Sequence, residues 1–146
     1  MPTAEILATL AAGSFFLTGL LTGVWKYLQI HQSPRGEAHP YVDIAHRTAL
    51  LYSFACLLLA YFTRLSQLDG TLELIAVAAQ VLFFALAVLS YVLHGWLGDT
   101  DNQLRRPFLL GRWQVPGVLM GGFMTLLIIG EIGGFLVLFA GVILAL

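Results

Sequence analysis

The sequence has little charge of either sign, and this scarcity limits its class. Charged residues make up 10% of the 146 residues, and the formal net charge is −1, whereas soluble domains carry about 25% charged residues. A near-neutral chain lacks the basic field that nucleic-acid binding needs, so we exclude nucleic acid as a partner. The single cysteine, Cys56, excludes an internal disulfide and a multi-cysteine metal site.

Apolar residues, by contrast, are abundant. They make up 59% of the chain and fall into runs of roughly 20 residues, the length that spans a bilayer. We therefore expect an all-α fold: an integral membrane four-helix bundle, surrounded by the lipid bilayer, in one domain over residues 1–146. The stretch Met1–Leu10 carries an acid and no basic residue, so we expect it to open the first helix instead of forming a cleaved signal peptide. The predicted helices cover residues 4–30, 42–64, 71–97 and 113–146.

The few cations predict the orientation of this bundle. Arg64 flanks the second loop, whereas the other six lie in or beside the first and third loops: Lys26, Arg35, Arg47, Arg105, Arg106 and Arg112. By the positive-inside rule, those two loops face the cytoplasm and both termini lie on the non-cytoplasmic side of the cell inner (cytoplasmic) membrane. The three tryptophans fall at the same level, where an aromatic belt is expected.

Two histidines lie inside this predicted membrane layer at one depth. His46 is a turn or two inside helix two, and His94 is about one turn before the end of helix three. Four-helix bundles build cofactor sites from side chains on facing helices, and imidazole is a common ligand for haem iron, zinc and copper. Asp43 lies three residues before His46 and is the expected acceptor for its second ring nitrogen. Tyr91 shares the polar face of His94. The alternative interpretation is a pair of interfacial histidines whose rings hydrogen-bond to headgroups, water or a neighbouring helix.

Short motifs around His46 resemble a known family. They are Gly23, Val24 and Trp25, then Ser33, Pro34 and Gly36, then Ala45, His46, Ala49 and Leu50, about a fifth of the chain. This pattern resembles the family of styrene oxide isomerase and hydroxylaminobenzene mutase. The resemblance implies a bundle that binds haem b through His46 as axial ligand. Ferric iron then acts as a Lewis acid on an epoxide or hydroxylamine oxygen. Tyr52 stands where the isomerase has a substrate-holding asparagine. The predicted catalytic side chains are Tyr52 and, on the polar face of His94, Tyr91.

The number of iron ligands separates two functions. His46 alone leaves an open position for isomerase-like Lewis-acid chemistry, whereas His94 as a second metal ligand favours electron transfer. Arg47, Arg105 or Arg106 are candidates to pair with haem propionates, since guanidinium matches carboxylate geometry. The alternative for each arginine is a charge that only sets topology.

Two further patterns predict packing. Ser14, Gln80 and Glu131 each fall roughly 13 Å inside the opposite surface and are expected to form one hydrogen-bonded network, as a proton relay, a substrate contact or a packing element. Gly117 with Gly121, and Gly130 with Gly134, form GxxxG spacings that permit close helix approach. They support a homo-oligomer or a membrane partner subunit. The alternative function is therefore a non-enzymatic membrane subunit or assembly factor.

Overall fold

The computed structural model describes residues 1–146 and is helical apart from one short hairpin. Four stretches are long and apolar enough to cross a membrane, which is the architecture of a multi-pass membrane protein. The elements are α1 (Thr3–Gln32), α2 (Pro40–Leu65), α3 (Gly70–Leu97), β1 (Leu109–Leu110), β2 (Trp113–Gln114), α4 (Gly117–Ile128), a π-helical segment (Ile129–Gly133) and α5 (Gly134–Ala145).

Local sequence signals explain where α2 and α3 begin and end. Pro40 occupies the first turn of α2, where its missing N–H needs no partner, and the His39 ring accepts a hydrogen bond from the Tyr41 N–H. The Asp69 carboxylate caps α3 by accepting from the Thr71 N–H at 2.9 Å. Gly98 ends α3 in the left-handed conformation, with φ of 58°.

Ion pairs at both ends of α1 and α2 show that these helices run antiparallel. Lys26 Nζ lies 2.6 Å from Asp43 at one end, and Arg64 lies 3.6 Å from Glu5 at the other. We call the first of these the loop end, because it carries the connections over residues 33–39 and 98–116. All the cations except Arg64 belong to this end, as the sequence predicts.

Glycines let α1 approach α2 closely, because they have no side chain at the interface. Close packing of this kind stabilises helix pairs in lipid. A Cβ placed on Gly19 would lie 2.5 Å from the Leu50 side chain, and one placed on Gly23 would lie 2.8 Å from the His46 ring. Buried alanines continue the same interface toward the other end of α1.

The last span differs from its prediction in two ways. The predicted helix over residues 113–146 begins later in the structure, because Trp113 pairs with Leu110 in the antiparallel hairpin and the helix begins at Gly117, after Pro116. Proline explains this boundary, since Pro116 disfavours helical backbone at the residue before it. The span is also interrupted by the π-helical segment, which separates α4, with no buried residue, from α5, which packs on α3.

Candidate functional site

His46 is held by the backbone of α1. Its Nδ1 atom lies 2.7 Å from the Gly19 carbonyl oxygen. A carbonyl can only accept a hydrogen bond, so Nδ1 carries a proton, and the tautomer that has its lone pair at Nε2 satisfies this contact. No protein group is hydrogen-bonded to Nε2. The ring therefore has the tautomer of an imidazole that ligates through Nε2.

The predicted partner of this ring is wrong. Asp43 does not accept from His46, because its carboxylate lies between two cations, 2.6 Å from Lys26 and 2.7 Å from Arg47. Both pairs are more favourable for a carboxylate than a neutral imidazole would be. The spacing along α2 shows that Asp43 is close to His46. It cannot show that α1 places Lys26 beside the same carboxylate.

His94 is held by a carboxylate in the connection that follows α3. The residue is 5% exposed, and its Nδ1 lies 2.8 Å from Asp99 Oδ1. The other Asp99 oxygen, Oδ2, accepts from the Gly111 N–H at 2.5 Å. Gly111 lies in the hairpin turn with φ of 61°, a conformation that favours glycine. The hairpin thus fixes the aspartate, and the aspartate fixes the ring.

The hydrogen bonds to Asp99 control its charge. Burial alone would raise the pKa of this carboxyl, but the bonds from the Gly111 N–H and the His94 ring outweigh burial and bring its pKa below the usual range. Asp99 is therefore a carboxylate at neutral pH. His94 Nε2 has no protein partner, and the residue lines a cavity of about 270 Å³ beside Ser90 and Gln103. This arrangement suits a general base or a single metal ligand.

Tyr41 shows that the two histidines have separate surroundings. Its ring lies 5.2 Å from the His94 ring and 5.8 Å from the Tyr91 ring, and its hydroxyl accepts from the Gln103 N–H at 2.5 Å. Tyr41 precedes His46 by five residues, which is about 140° around a helix. The two imidazoles have different hydrogen-bond partners, Gly19 for His46 and Asp99 for His94. No group of three or more His, Cys, Asp or Glu side chains is placed to hold a metal ion.

The arginines predicted to bind propionates are engaged in ion pairs. Arg47 donates to Asp43 at 2.7 Å, and its side chain is 64% exposed beside His46. Arg105 pairs with Asp101 within the third connection, where both side chains are exposed. Arg106 lies over the Phe108 ring at 5.9 Å. Of the three, Arg47 is the one adjacent to His46 along the chain.

The predicted catalytic tyrosines lie in the interior of the bundle. Tyr52 stacks on Phe84 at 4.0 Å, and Tyr91 stacks on Tyr41. Neither hydroxyl has a protein hydrogen-bond partner. Tyr52 and His46 lie about 120° apart around α2, so Tyr52 projects from a different face of this helix.

The predicted second polar layer forms only in part. Ser14 is exposed on α1 and takes no part in it. The Gln80 amide donates to the Ala76 carbonyl at 3.1 Å instead of to Glu131. Glu131 Oε1 is buried without a hydrogen-bond partner. Gln80 and Glu131 nevertheless line one cavity.

Asp99, Gly111 and Gln103 are the residues that sequence reasoning missed. A signal was present, because Gly98 ends α3 shortly after His94 and turns the chain back. The residue after Gly98, Asp99, thereby reaches the ring.

No family model matches the sequence, and no curated protein or solved structure matches it.

Proposed function

We propose that this membrane protein binds haem b through His46 as axial ligand and catalyses an isomerase-like reaction. The supporting observation is the bond from His46 Nδ1 to the Gly19 carbonyl, 2.7 Å long, which leaves the Nε2 lone pair without a protein partner. Backbone acceptors of this kind orient histidine ligands in metal sites. Bound haem would supply a ferric Lewis acid for an epoxide or hydroxylamine oxygen.

The separate surroundings of His94 favour one ligand over two. His94 Nδ1 is committed to Asp99, and the ring lines a cavity that does not include His46. One imidazole leaves an open axial position, which suits Lewis-acid chemistry, whereas electron transfer favours a closed site. We therefore favour the isomerase-like role over electron transfer.

The open side of His46 defines where the haem would be held. His46 is partly exposed, and it lines none of the five principal cavities of the chain. A macrocycle on Nε2 would therefore contact the flank of α1 and α2, and a second copy of the chain would enclose it. Arg47 is placed to donate to a propionate beside Asp43. We assign Tyr52 and Tyr91 no step at the iron, because they face the bundle interior.

The test is a visible spectrum of the purified protein, oxidised and reduced, for wild type, His46→Ala and His94→Ala. We expect a Soret band in wild type and in His94→Ala, and its loss in His46→Ala. A change from a low-spin to a high-spin spectrum in His94→Ala would instead establish two ligands and electron transfer. Absence of a Soret band from cells supplied with haem would overturn the proposal.

The cation distribution extends the proposal to topology. With the loop end in the cytoplasm, six of the seven cations obey the positive-inside rule, and both termini lie on the other side of the inner membrane. Cysteine labelling with a membrane-impermeant maleimide on whole cells tests this in a Cys56→Ala background. A cysteine after Leu146 should react, and one at Gln32 should not.

A non-enzymatic subunit that packs through α4 is the second candidate. The observation that favours it is the open face of α4, where a Cβ on Gly121 would meet nothing within 4 Å. Gly134, by contrast, packs inside the chain, 2.6 Å from the Ala76 carbonyl. Gly121→Leu should therefore dissociate an oligomer without unfolding the chain. Loss of assembly in this variant, with no defect in His46→Ala, would favour the second candidate.

A further inference from the structure

A cavity of about 340 Å³ lies between α2, α3 and the π-helical segment, away from both histidines. Its walls are mostly apolar, with two polar side chains. Its lining includes Ala55, Leu58, Gln80, Phe84, Glu131 and Phe135. The cavity therefore combines the apolar walls and the few polar groups that are typical of small-molecule sites.

The polar groups on its wall include acceptors that no protein donor reaches. Glu131 Oε1 is buried and has no hydrogen-bond partner. The Gln80 amide nitrogen is engaged by the Ala76 carbonyl at 3.1 Å, which leaves the Gln80 amide oxygen free. A buried acceptor without a partner costs roughly 1–3 kcal/mol, and more when it is charged. A ligand that brings N–H or O–H donors would supply these acceptors with the partners they lack.

Local backbone structure places Glu131 opposite Gln80. Glu131 lies in the π-helical segment Ile129–Gly133, and such segments occur frequently at functional sites. Just after it, Gly134 lets the chain approach α3, since a Cβ there would lie 2.6 Å from the Ala76 oxygen and 3.0 Å from Gln80 Cγ. A larger residue at position 134 would separate the two polar side chains.

The mouth of the cavity opens toward lipid. Leu58 and Ile132 line it while remaining 44% and 56% exposed on the outer surface of their helices. In a membrane these surfaces face hydrocarbon, so a ligand reaches Glu131 sideways from the bilayer. This route selects molecules that dissolve in lipid.

We propose that this cavity is a binding site for lipophilic primary amines. An ammonium group carries three donors, which match the free oxygens of Glu131 and Gln80 through charge-assisted hydrogen bonds. The apolar body of the amine packs against Phe84 and Phe135. This site neither contains His46 nor depends on haem, so its test is independent of the proposed function.

The experiment is a ¹⁹F NMR titration of the full chain in phosphatidylcholine nanodiscs. The probe is 4-fluorophenethylamine, and 1-ethyl-4-fluorobenzene is the isostere without the amine; signals from protein-free nanodiscs are subtracted. We expect the amine to bind about tenfold more tightly than the isostere, and Glu131→Gln to weaken the amine about tenfold. The matched control is Glu73→Gln, which alters a buried carboxyl on α3 outside the cavity and should leave the affinity unchanged.

Two variants keep the proposal testable if Glu131→Gln folds poorly. Gln80→Leu removes the second acceptor and should weaken the amine without weakening the isostere, whereas Ala55→Leu fills the cavity and should weaken both probes. Circular dichroism and size-exclusion chromatography identify the folded variants. Equal binding of both probes to wild type, or equal binding of the amine by wild type and by the two acceptor variants, would overturn the site.

Discussion

His46 and His94 lie at the same end of the bundle, but different kinds of group hold their rings. The Gly19 carbonyl that binds His46 belongs to the middle of a long helix, whereas the Asp99 carboxylate that binds His94 belongs to a connection. A carbonyl fixes a ring without adding charge, and a carboxylate adds a negative charge beside it. Membrane depth, which is common to both rings, therefore does not establish a common role.

The surroundings beyond these first partners widen the difference. His94 is 5% exposed, lies 5.2 Å from the Tyr41 ring and lines a cavity closed partly by the hairpin. His46 lies on glycines of α1 and is partly exposed on its other side. His46 is thus open to a large planar group, and His94 is open to a small molecule. The following changes would break or sharpen this contrast.

The largest effect is expected from Gly23→Ala. The added Cβ would lie 2.8 Å from His46 Cε1, closer than nonbonded atoms approach, so the ring must move off the Gly19 carbonyl. Loss of such a supporting contact typically lowers metal affinity about 10- to 100-fold. Haem titration of the purified variant measures this directly.

Gly13→Ala, also on α1, is the matched control for this change, since a Cβ there would have nothing within 4 Å. It should bind haem as wild type does. Unchanged haem affinity in Gly23→Ala would remove the His46 ring from the proposed site, and the contrast with His94 would lose its functional meaning.

Asp99→Ala should give the next largest effect, on stability. The substitution leaves the Gly111 N–H and the His94 ring nitrogen without their shared acceptor, in a buried part of the protein. We expect a loss of about 2 kcal/mol, the usual cost of an orphaned buried group. Thermal unfolding followed by circular dichroism in detergent measures the change.

Asp101→Ala tests whether this loss is specific, because Asp101 is an exposed aspartate in the same connection, paired with Arg105. It should change stability by less than about 0.5 kcal/mol. Asp99→Ala should also keep any Soret band, since Asp99 contacts His94 and not His46. Loss of haem in this variant would show that the two histidines act as one site.

Much of the fold could be predicted from the sequence, because apolar length and loop chemistry depend on local residues. The four spans, Pro40 at the start of α2 and the grouping of cations at one end all follow from such patterns. The hairpin before α4 could not be predicted from such patterns, since its pairing of Leu110 with Trp113 depends on how the connection folds back.

The site was less predictable, for a related reason. The sequence gives the positions of His46, Tyr91 and Glu131 along their helices, but it does not give the hydrogen-bond partners that come from neighbouring elements. Lys26 on α1 pairs with Asp43, which therefore does not bond to His46, and the Gly19 carbonyl of α1 binds the His46 ring instead. Helical periodicity gives the face of one helix and says nothing about competition from the next.

A smaller, pH-dependent effect should separate Asp99 from its surroundings. Burial raises the pKa of this carboxyl, but its hydrogen bonds lower the pKa further, so the folded value is below the unfolded value of about 3.9. The resulting stabilisation is present above that unfolded value and is lost as the pH falls through the folded value.

The difference in unfolding free energy between wild type and Asp99→Ala should therefore be constant from pH 5 to 7, as far as Asp99 is concerned, and should shrink below about pH 4. Denaturation curves at several pH values measure it. A difference that grows on acidification would mean that the folded carboxyl has a raised pKa, and that its hydrogen bonds do not outweigh burial.

The smallest effect is expected from Arg105→Gln, which tests whether the loop-end arginines have separate roles. Arg105 and Asp101 are both more than half exposed, so water and salt screen their pair, and its loss should change stability by less than about 0.5 kcal/mol. Haem affinity should also be unchanged, because Arg105 lies in the third connection with the His94 surroundings. Arg47→Gln, beside His46, should weaken haem severalfold instead. If Arg105→Gln weakened haem as much as Arg47→Gln, propionate binding would involve both connections, and the haem would have to reach the side of the bundle that His94 occupies.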